Sequence, residues 1–286
     1  MRVLVVYKKS AYQIYVEERG QTQFTNIKGL VESHRQHLAS MELARKVFRK
    51  LDAHVTFRYR SRARQSSDFD LIVTLGGDGT VLEAARHAGR TPLVCINTAP
   101  DSSRGYFCAG TAENMEGVLR AALAGELKAL VVERMVVRVD KKLISKRVLN
   151  DILFCHHNPA ATSRYTLGVA AQGRKPPMAE TQRSSGVWVC TAAGSTGAMQ
   201  SAGGRRMPIR SKSLQYVARE LCAPWDPESR QGFVEFGNEL VLTSHMRTGR
   251  VYIDGSRISV PVNVGSTVCC GISDEPLSIL GFRDWR

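Results

Sequence analysis

One carboxylate stands among three glycines at residues 71–80, LIVTLGGDGT. An apolar run bounded by glycine is typical of a buried parallel strand, and the following VLEAARHAG has helical spacing. Sheets of α/β proteins bind ligands at such strand-to-helix turns. Gly76, Gly77 and Gly79 would let backbone amides approach phosphate oxygens beside the helix N-terminus. Asp78 is then a candidate general base for a hydroxyl nucleophile, or a group that holds Mg²⁺ on the transferred phosphates.

The same turn also has a purely structural interpretation. Asp78 could cap the following helix, and the glycines could simply make a tight turn. Neither GxxxxGK[ST] nor GxGxxG occurs in the chain, which excludes the two common phosphate-binding loops. The choice between ligand binding and helix capping therefore needs further motifs.

A loop dense in small residues follows a strand-like segment in GVWVCTAAGSTGAMQSAGG, residues 186–204. Small side chains let a ligand lie against the backbone, and the hydroxyls of Ser195, Thr196 and Ser201 could bind ribose or phosphate. The composition is equally typical of a tightly packed corner.

The segment VLNDILFCHH carries a pair of polar residues suited to an adenosine group. The Asn150 amide could recognise an adenine edge, and the Asp151 carboxylate could accept hydrogen bonds from ribose hydroxyls. An isolated Asn-Asp pair is also common at bulges and turns. We expect no chemistry from His156 and His157, since no third metal ligand accompanies them.

The elements that must hold these groups follow from the hydrophobic pattern. Alternating strand-like and helix-like segments in the first hundred residues predict an α/β domain with a Rossmann-like parallel sheet. One helix is expected over Ser33–Leu51, with its packing face formed by Leu38, Met41, Val47, Phe48 and Leu51.

Recurrent apolar alternation after the first hundred residues predicts a β-rich, mainly antiparallel second domain, a β-sandwich. We expect domains at 1–110 and 111–275, with a tail at 276–286 that packs back on the first domain. Within the second domain, VYIDGSRIS predicts a hairpin with a two-residue turn at Asp254 and Gly255.

Composition limits the classes of protein to consider. The 286 residues are 43% hydrophobic and 23% charged, as in globular proteins. The net charge of +14 favours anionic partners. No apolar run approaches the ~20 residues of a membrane span, and the first residues lack a signal-peptide pattern, so we expect a cytoplasmic protein. The seven cysteines lack zinc-site spacing, which favours reduced thiols.

Together the motifs resemble those of the NAD kinase family. GGDGT is similar to the motif that NAD kinases share with diacylglycerol and sphingosine kinases and, more distantly, phosphofructokinases, all of which transfer phosphate to a hydroxyl. GSTGAMQSAGG resembles the GSTAY-x-x-SAGG loop of NAD kinases, which lipid kinases lack, and Asn150-Asp151 resembles their Asn-Glu or Asn-Asp pair. The three motifs run in family order, and the resemblance extends from the first strand to the final PLSILGF.

The resemblance implies a reaction and a set of site residues. The activity would be ATP-dependent phosphorylation of the adenosine ribose 2′-hydroxyl of NAD⁺ or NADH, with Mg²⁺ arriving with ATP and no residue assigned to a resident metal. Asp78 would be the catalytic base. Substrate-binding positions would be Gly76, Gly77, Gly79, Thr80, Tyr106, Asn150, Asp151, Arg183, Ser195, Thr196, Gly197, Ala198 and Ser201.

The resemblance also implies binding partners, and it leaves two alternative functions to consider. The partners would be NAD(H) and ATP, with no nucleic acid and no stable membrane association, and the chain would form a homodimer or homotetramer. A lipid kinase with the same GGDGT is one alternative, against which the Asn-Asp pair and the GST loop argue. A catalytically inactive NAD(H)-binding regulator is another, against which the intact Asp78 argues.

Three departures from the family pattern bear on specificity. Ser185 stands where many members carry an aspartate, and Gly197-Ala198 replaces the Ala-Tyr of the loop. The segment TAPDSSR before RGYF is longer than the usual bacterial one, which affects the alignment of Tyr106 with the family's phenylalanine. These features resemble a divergent branch that includes plant kinases favouring NADH. The choice between NAD⁺ and NADH, and between ATP and polyphosphate, stays open at this level.

Overall fold

The chain folds into two compact units. The computed structural model describes residues 1–21, 23–63, 67–222 and 230–282. Within them, one unit comprises Met1–Val131 together with 277–282, and the other comprises Val132–Pro276. The predicted α/β domain followed by a β-rich domain is confirmed.

The first unit contains a seven-stranded sheet in which the five strand pairs given below are parallel. Its strands are β1 (Arg2–Tyr7), β2 (His54–Tyr59), β3 (Leu71–Leu75), β4 (Leu93–Asn97), β5 (Gly110–Thr111), β6 (Ala129–Val132) and, from the end of the chain, β19 (Leu277–Leu280). Their order is β2-β1-β3-β4-β19-β6, with β5 also paired to β4. The pairs of β1 with β2 and β3, and of β4 with β3, β5 and β19, are parallel. Because β3 and β4 are neighbours, their carboxyl ends lie at the same edge of the sheet.

Three helices accompany this sheet: α1 (Ile27–Lys50), α2 (Asp78–Ala85) and α3 (Met115–Leu123). Helix α1 begins six residues before the predicted start at Ser33, because the Asn26 side chain caps it by accepting a hydrogen bond from Gly29 N at 2.9 Å. Met41, Val47 and Phe48 are buried as predicted, whereas Leu38 is 50% exposed. The segment before this helix contains a π-helical turn at Gln13–Glu17.

The first unit extends further along the chain than the boundary expected at residue 110. Met115, Leu119 and Ala122 of α3 are buried in the same apolar cluster as Val73 and Val94 of the central strands. This packing keeps α3 with the first sheet, so the compact unit ends at Val131. Strand β19 brings the end of the chain back to the same sheet.

The second unit is a sandwich of two antiparallel sheets. Its strands are β7 (Met135–Val139), β8 (Lys142–Val148), β9 (Asp151–His156), β10 (Ser163–Ala171), β11 (Glu180–Ser184), β12 (Gly186–Cys190), β13 (Leu214–Arg219), β14 (Gln231–Val234), β15 (Asn238–Ser244), β16 (Gly249–Ile253), β17 (Ile258–Val262) and β18 (Thr267–Ile272). The orders are β11-β10-β15-β18-β7-β8 and β14-β13-β12-β9-β16-β17. Buried side chains from both sheets form one core cluster, including Phe154, Tyr165 and Leu240. In the described part of the chain, every helix is too short or too polar to cross a bilayer.

The loop between β16 and β17 differs from the predicted hairpin turn. Ile253 pairs with Ile258, which leaves four loop residues rather than two, so the two-residue prediction is wrong. Asp254 and Gly255 do adopt the positive φ angles that Asp-Gly predicted, 45° and 94°. The Asp254 side chain, however, points inward and is only 7% exposed. Its buried carboxylate contacts a segment that the sequence places about a hundred residues earlier.

Candidate active site

The GGDGT loop joins β3 to α2, and its glycines have different surroundings. A Cβ atom added to Gly76 would clash with Thr80 Oγ1, and one added to Gly77 would clash with Ser103 Oγ. A Cβ on Gly79 would meet no atom within 4 Å. Packing against Thr80 therefore requires glycine at Gly76, a side chain at Gly77 would displace the Ser103 hydroxyl, and Gly79 borders open space in which a ligand could lie. Thr80 is buried, and its hydroxyl has no hydrogen-bond partner among the described residues.

Asp78 is held by a neighbouring loop and does not cap the helix. No side chain caps α2, and Gly77 is its N-cap residue. Asp78 Oδ2 accepts a hydrogen bond from Tyr106 N, and Oδ1 accepts one from Phe107 N, both at 3.0 Å. The side chain is half-buried. The structural interpretation of Asp78 as a helix cap is therefore replaced by one in which two backbone donors orient its carboxylate.

The segment before Phe107 is shaped by Asn97 at the end of β4. Asn97 Nδ2 donates a hydrogen bond to Ser103 O at 2.8 Å. Gly105 adopts a φ of 60°, and a Cβ atom at this position would clash with the Asn97 side chain. The Tyr106 ring packs against Phe107 and Phe282, with centroid distances of 4.9 and 5.3 Å. Tyr106 thus contributes a backbone contact to Asp78, while its ring belongs to an aromatic cluster.

Two residues beside this loop were not singled out in the sequence. The Lys8 side chain, directly after β1, lies 3.4 Å from the position that a Cβ on Gly76 would take. Burial, followed by the nearby charge of Arg60, lowers the pKa of Lys8. His37 Nε2 contacts Lys8 O, and His37 Nδ1 contacts Thr98 Oγ1, both at 2.9 Å. Lys8 could have been found because it follows a strand whose carboxyl end borders the loop; His37 gave no signal beyond its place on a helix.

A thiol pair packs behind the loop. The Sγ atoms of Cys95 and Cys108 are 2.7 Å apart, and each lies 3.7 Å from Gly76 O. The contact with Cys95, together with burial, raises the pKa of Cys108 far above its usual value. Cys108 is therefore protonated, and both side chains pack behind the glycine turn.

In the second unit, the Asn-Asp pair lies where the chain enters β9. Asn150 Oδ1 is buried and has no hydrogen-bond partner among the described residues, so it is an unused acceptor. Burial, and secondly the charge of Asp254, raises the pKa of Asp151 to about 7. A group with this pKa exchanges its proton near neutral pH, which is typical of functional sites.

The GST loop packs directly against this pair. Thr191 N donates to Asn150 O at 2.9 Å, and a Cβ on Gly194 would clash with the same oxygen. Thr191 Oγ1 also donates to Leu149 O. The two motifs, some forty residues apart in sequence, are therefore adjacent in the structure.

Only some of the predicted loop positions are accessible. Thr196, Gly197 and Ser201 are exposed and Ala198 is half-buried, around a short α4 helix (Ala198–Ser201). Ser195 is fully buried: its hydroxyl donates to Ala192 O at 2.7 Å and accepts from Met207 N at 3.0 Å. The Ser195 hydroxyl therefore maintains the loop, and the Thr196 and Ser201 hydroxyls remain open to a ligand.

Arg183 lies on β11, an edge strand of the other sheet of the sandwich. Its side chain is exposed, faces Arg164 across the strand pair, and takes part in no ion pair among the described residues. The structure thus places Arg183 on a different sheet from the Asn-Asp pair and the GST loop. Within the described ranges, no group of three or more His, Cys, Asp or Glu side chains could hold a metal ion.

Comparison with known proteins places these motifs in one family. The model of the ATP-NAD kinase N-terminal domain matches residues 1–127. The probable NADH kinase of Oryza sativa subsp. japonica is 33% identical over 262 residues, covering 85% of this chain and 80% of the relative. The NADH kinase of Arabidopsis thaliana is 35% identical over 228 residues, covering 73% and 72%. A crystal structure of an NAD kinase from Archaeoglobus fulgidus in complex with ATP shares the fold, with a TM-score of 0.67 and 21% identity over 100% of this chain and 94% of that chain. This chain therefore belongs to the NAD kinase family.

Proposed function

We propose that the protein transfers the γ-phosphate of ATP to the 2′-hydroxyl of the adenosine ribose of NAD(H), producing NADP(H). Membership of the NAD kinase family supports this activity. The observation that carries the proposal is the Asp78 carboxylate, which is half-buried and oriented by two backbone N–H groups at the start of α2.

Asp78 serves as the general base. Each of its oxygens accepts one backbone hydrogen bond, and a carboxylate offers about four acceptor sites, so sites remain for a ribose hydroxyl. As the hydroxyl oxygen bonds to phosphorus, the bond from phosphorus to the bridging oxygen of ADP breaks and the hydroxyl proton passes to Asp78. The two backbone donors limit the motion of the carboxylate, and such positioning supplies much of the catalysis in phosphoryl transfer.

The donor phosphates are bound around Gly79 and Lys8. The open space at Gly79 admits a phosphate group close to the backbone of the first turn of α2, where amides favour anions. Lys8 adds a cation beside Gly76. The lowered pKa of Lys8 reflects its partial removal from water, and a bound phosphate would favour the charged form.

Mg²⁺ fits this site as a companion of ATP. Magnesium is usually bound through one or two carboxylates and substrate phosphates, and it keeps several waters. The remaining acceptor sites of Asp78 suit that arrangement. When bound, the ion neutralises charge on the transferred phosphates.

The acceptor is bound by the second unit. The unpartnered Asn150 Oδ1 accepts from the adenine amino group, and Asp151 accepts from ribose hydroxyls. Thr196 and Ser201 offer exposed hydroxyls beside this pair. The buried Ser195 positions the loop through its own hydrogen bonds, and Arg183 offers a cation on the edge strand.

NADH is the expected acceptor form. Support comes from the two plant relatives named NADH kinases and from the loop departures at Ser185 and Gly197-Ala198. The cytoplasmic location and the homodimeric or homotetrameric state stay predictions. Gel filtration with light scattering would measure the subunit number.

Steady-state kinetics of the wild type and of Asp78→Asn test the proposal. With ATP and Mg²⁺, we expect the wild type to convert NADH to NADPH faster than NAD⁺ to NADP⁺. Asp78→Asn removes the base, so we expect kcat to fall by roughly 10²-fold or more. Asp101→Asn is the matched control, because Asp101 is an exposed residue of the loop after β4 whose carboxylate accepts a hydrogen bond from Gln36.

The outcomes separate the rival activities. Product from neither NAD⁺ nor NADH would contradict the proposed reaction, and phosphorylation of diacylglycerol in its place would favour a lipid kinase. Binding of NADH by calorimetry without turnover would favour a regulatory NAD(H)-binding protein. An equal loss of kcat in Asp101→Asn would contradict the specific role of Asp78.

A further inference from the structure

Asp254 makes an unusual set of contacts for a residue in a hairpin loop. Its Oδ1 accepts hydrogen bonds from Asn150 N at 2.8 Å and from Asp151 N at 3.3 Å, and its Oδ2 accepts one from Leu149 N at 3.1 Å. Asp254 N in turn donates to Asp151 O at 2.9 Å. Four hydrogen bonds thus join the β16–β17 loop to the segment that carries the Asn-Asp pair.

The hydrogen bonds to Asp254 are needed because the Asn-Asp pair lies at the start of β9, where the preceding backbone N–H groups are not paired within the sheet. Strand β9 begins at Asp151, so Leu149 N and Asn150 N have no ladder partner. Buried backbone N–H groups require an acceptor, and the Asp254 carboxylate supplies it for three consecutive residues. A shift of this carboxylate would move the main chain of both Asn150 and Asp151.

Asp254 is itself supported from the interior. Arg134 is fully buried, donates to Glu275 O at 2.5 Å and to Pro276 O at 3.3 Å, and is attracted by the charge of Asp254. Burying a carboxylate is unfavourable unless hydrogen bonds and a nearby positive charge compensate it, and here three backbone N–H groups bind Asp254 while the charge of Arg134 favours its ionised form. The chain therefore keeps a buried carboxylate, hydrogen-bonded to the Asn-Asp segment and influenced by the charge of Arg134, whereas a simple turn would need only an exposed aspartate.

We propose that Asp254 is a positioning residue for NAD(H), which holds the Asn150 amide and the Asp151 carboxylate in the arrangement that binds the adenosine ribose. This inference rests on the proposed NAD(H) phosphorylation. Asp254 touches neither substrate nor reacting atoms in this account and acts through the two residues whose backbone it binds.

The charge of Asp254 also acts on the proton affinity of Asp151. The charged and titratable groups that face this cluster are Asp254 from the β16–β17 loop, Cys190 from β12, and Arg134 behind Asp254. A neighbouring negative charge favours the protonated form of a carboxyl. Removing the charge of Asp254 should therefore let Asp151 ionise at lower pH.

The test is the kinetics of Asp254→Asn in the full chain, with NAD(H) and ATP varied separately between pH 5.5 and 8.5. We expect KM for NAD(H) to rise by roughly 10-fold or more, because displaced binding groups weaken acceptor binding. KM for ATP should stay within about 2-fold, since this cluster binds only the acceptor. The acid limb of kcat/KM for NAD(H) should move to lower pH, which a loss of stability alone would not produce.

A matched control is available in the β7–β8 turn. Asp140 also has a positive φ, 50°, and its carboxylate accepts from Thr267 N at 2.8 Å and Ser266 Oγ at 3.0 Å. Asp140→Asn removes an exposed turn carboxylate whose hydrogen bonds go to Ser266 and Thr267 and not to the Asn-Asp pair. We expect unchanged kinetic constants and an unchanged pH profile in this variant.

A double-mutant cycle tests whether Asp254 acts through the pair. In an Asp151→Asn background, Asp254→Asn should raise KM for NAD(H) much less than it does in the wild type, because coupled residues are not additive. If Asp254→Asn does not fold, Asp254→Ser retains one acceptor oxygen and takes its place, with NADH binding measured by calorimetry.

The results distinguish this inference from the proposed function. A wild type that phosphorylates NAD(H), together with an Asp254 variant of unchanged KM and pH profile, would overturn the positioning role alone. A variant in which KM for ATP rises as much as KM for NAD(H) would overturn it as well. A wild type without activity on NAD(H) would instead refute the proposed function.

Discussion

Replacement of Asp151 by asparagine should make the protein more stable and a poorer binder of NAD(H). Burial, followed by the charge of Asp254, raises the pKa of Asp151 from 3.8 to about 7. At pH 8 the folded protein must hold a carboxylate where a neutral group would be preferred. Asparagine has nearly the same shape and carries no charge, so it removes this penalty, and it also removes a strong acceptor for ribose hydroxyls.

The size and sign of the stability effect follow from proton linkage. Between about pH 4 and pH 7 the folded state binds more protons at Asp151 than the unfolded chain, so this residue makes the free energy of unfolding fall as pH rises. The pKa difference is about three units, and each unit corresponds to ~1.36 kcal/mol. Ionised Asp151 should therefore destabilise the fold by on the order of 4 kcal/mol above pH 7, and by little near pH 4.

Chemical denaturation of both proteins between pH 4 and pH 8 measures this effect. Taking the difference between wild type and Asp151→Asn cancels groups that both share, such as His37. We expect the variant to be more stable at pH 8 and the gain to shrink steadily toward pH 4. Asp140→Asn, which removes an exposed carboxylate, should show no such pH-dependent gain. No gain at pH 8, or a gain independent of pH, would refute the account of Asp151 as a buried, proton-exchanging carboxyl.

Two further predictions concern the first unit. Gly79→Ala should keep the wild-type Tm, because the new Cβ meets no atom within 4 Å, but it should lower kcat/KM by roughly 10-fold by obstructing the bound phosphate. Gly76→Ala should lower the free energy of unfolding by ~2 kcal/mol or more, because its Cβ clashes with Thr80. Equal Tm values for the two variants would contradict this contrast. Burial lowers the pKa of His37 from 6.5 to about 4, so its contribution to stability is lost as pH falls from 6.5 toward 4. His37→Gln should flatten that acid dependence in thermal unfolding, and an unchanged slope would show that other groups cause it.

Much of the fold could be predicted because its signals are local. The buried strands β3 and β4 are short apolar runs bounded by glycine or proline, and the second unit shows the alternation of a half-buried sheet. The start of α1 could not be placed, because the residues before Ser33 lack an apolar period and the helix is begun by the cap at Asn26. The extent of the first unit depends on tertiary packing of α3, which no local pattern reveals.

The site could be predicted only where chemistry and local backbone coincide. Asp78 was found because glycines flank it in a turn. For Asp254 the sequence predicts only a turn residue, because its hydrogen-bond partners are more than a hundred positions away and the Asp-Gly pair alone accounts for its positive φ angle. Ser195 shows the converse: its hydroxyl matched a binding pattern, and the structure uses it inside the loop.

Asp78 and Asp254 share a structural role and differ in what remains for chemistry. Each lies in a turn next to glycine, and each accepts hydrogen bonds from successive backbone N–H groups of a distant loop, two for Asp78 and three for Asp254. Asp78 is half-buried and each of its oxygens accepts one hydrogen bond, so acceptor sites remain for a substrate hydroxyl. Asp254 is 7% exposed and lies near the buried Arg134, and its carboxylate oxygens accept hydrogen bonds from the protein's own backbone. Accessibility, and not residue type or turn context, separates the candidate base from the residue that positions the acceptor-binding pair.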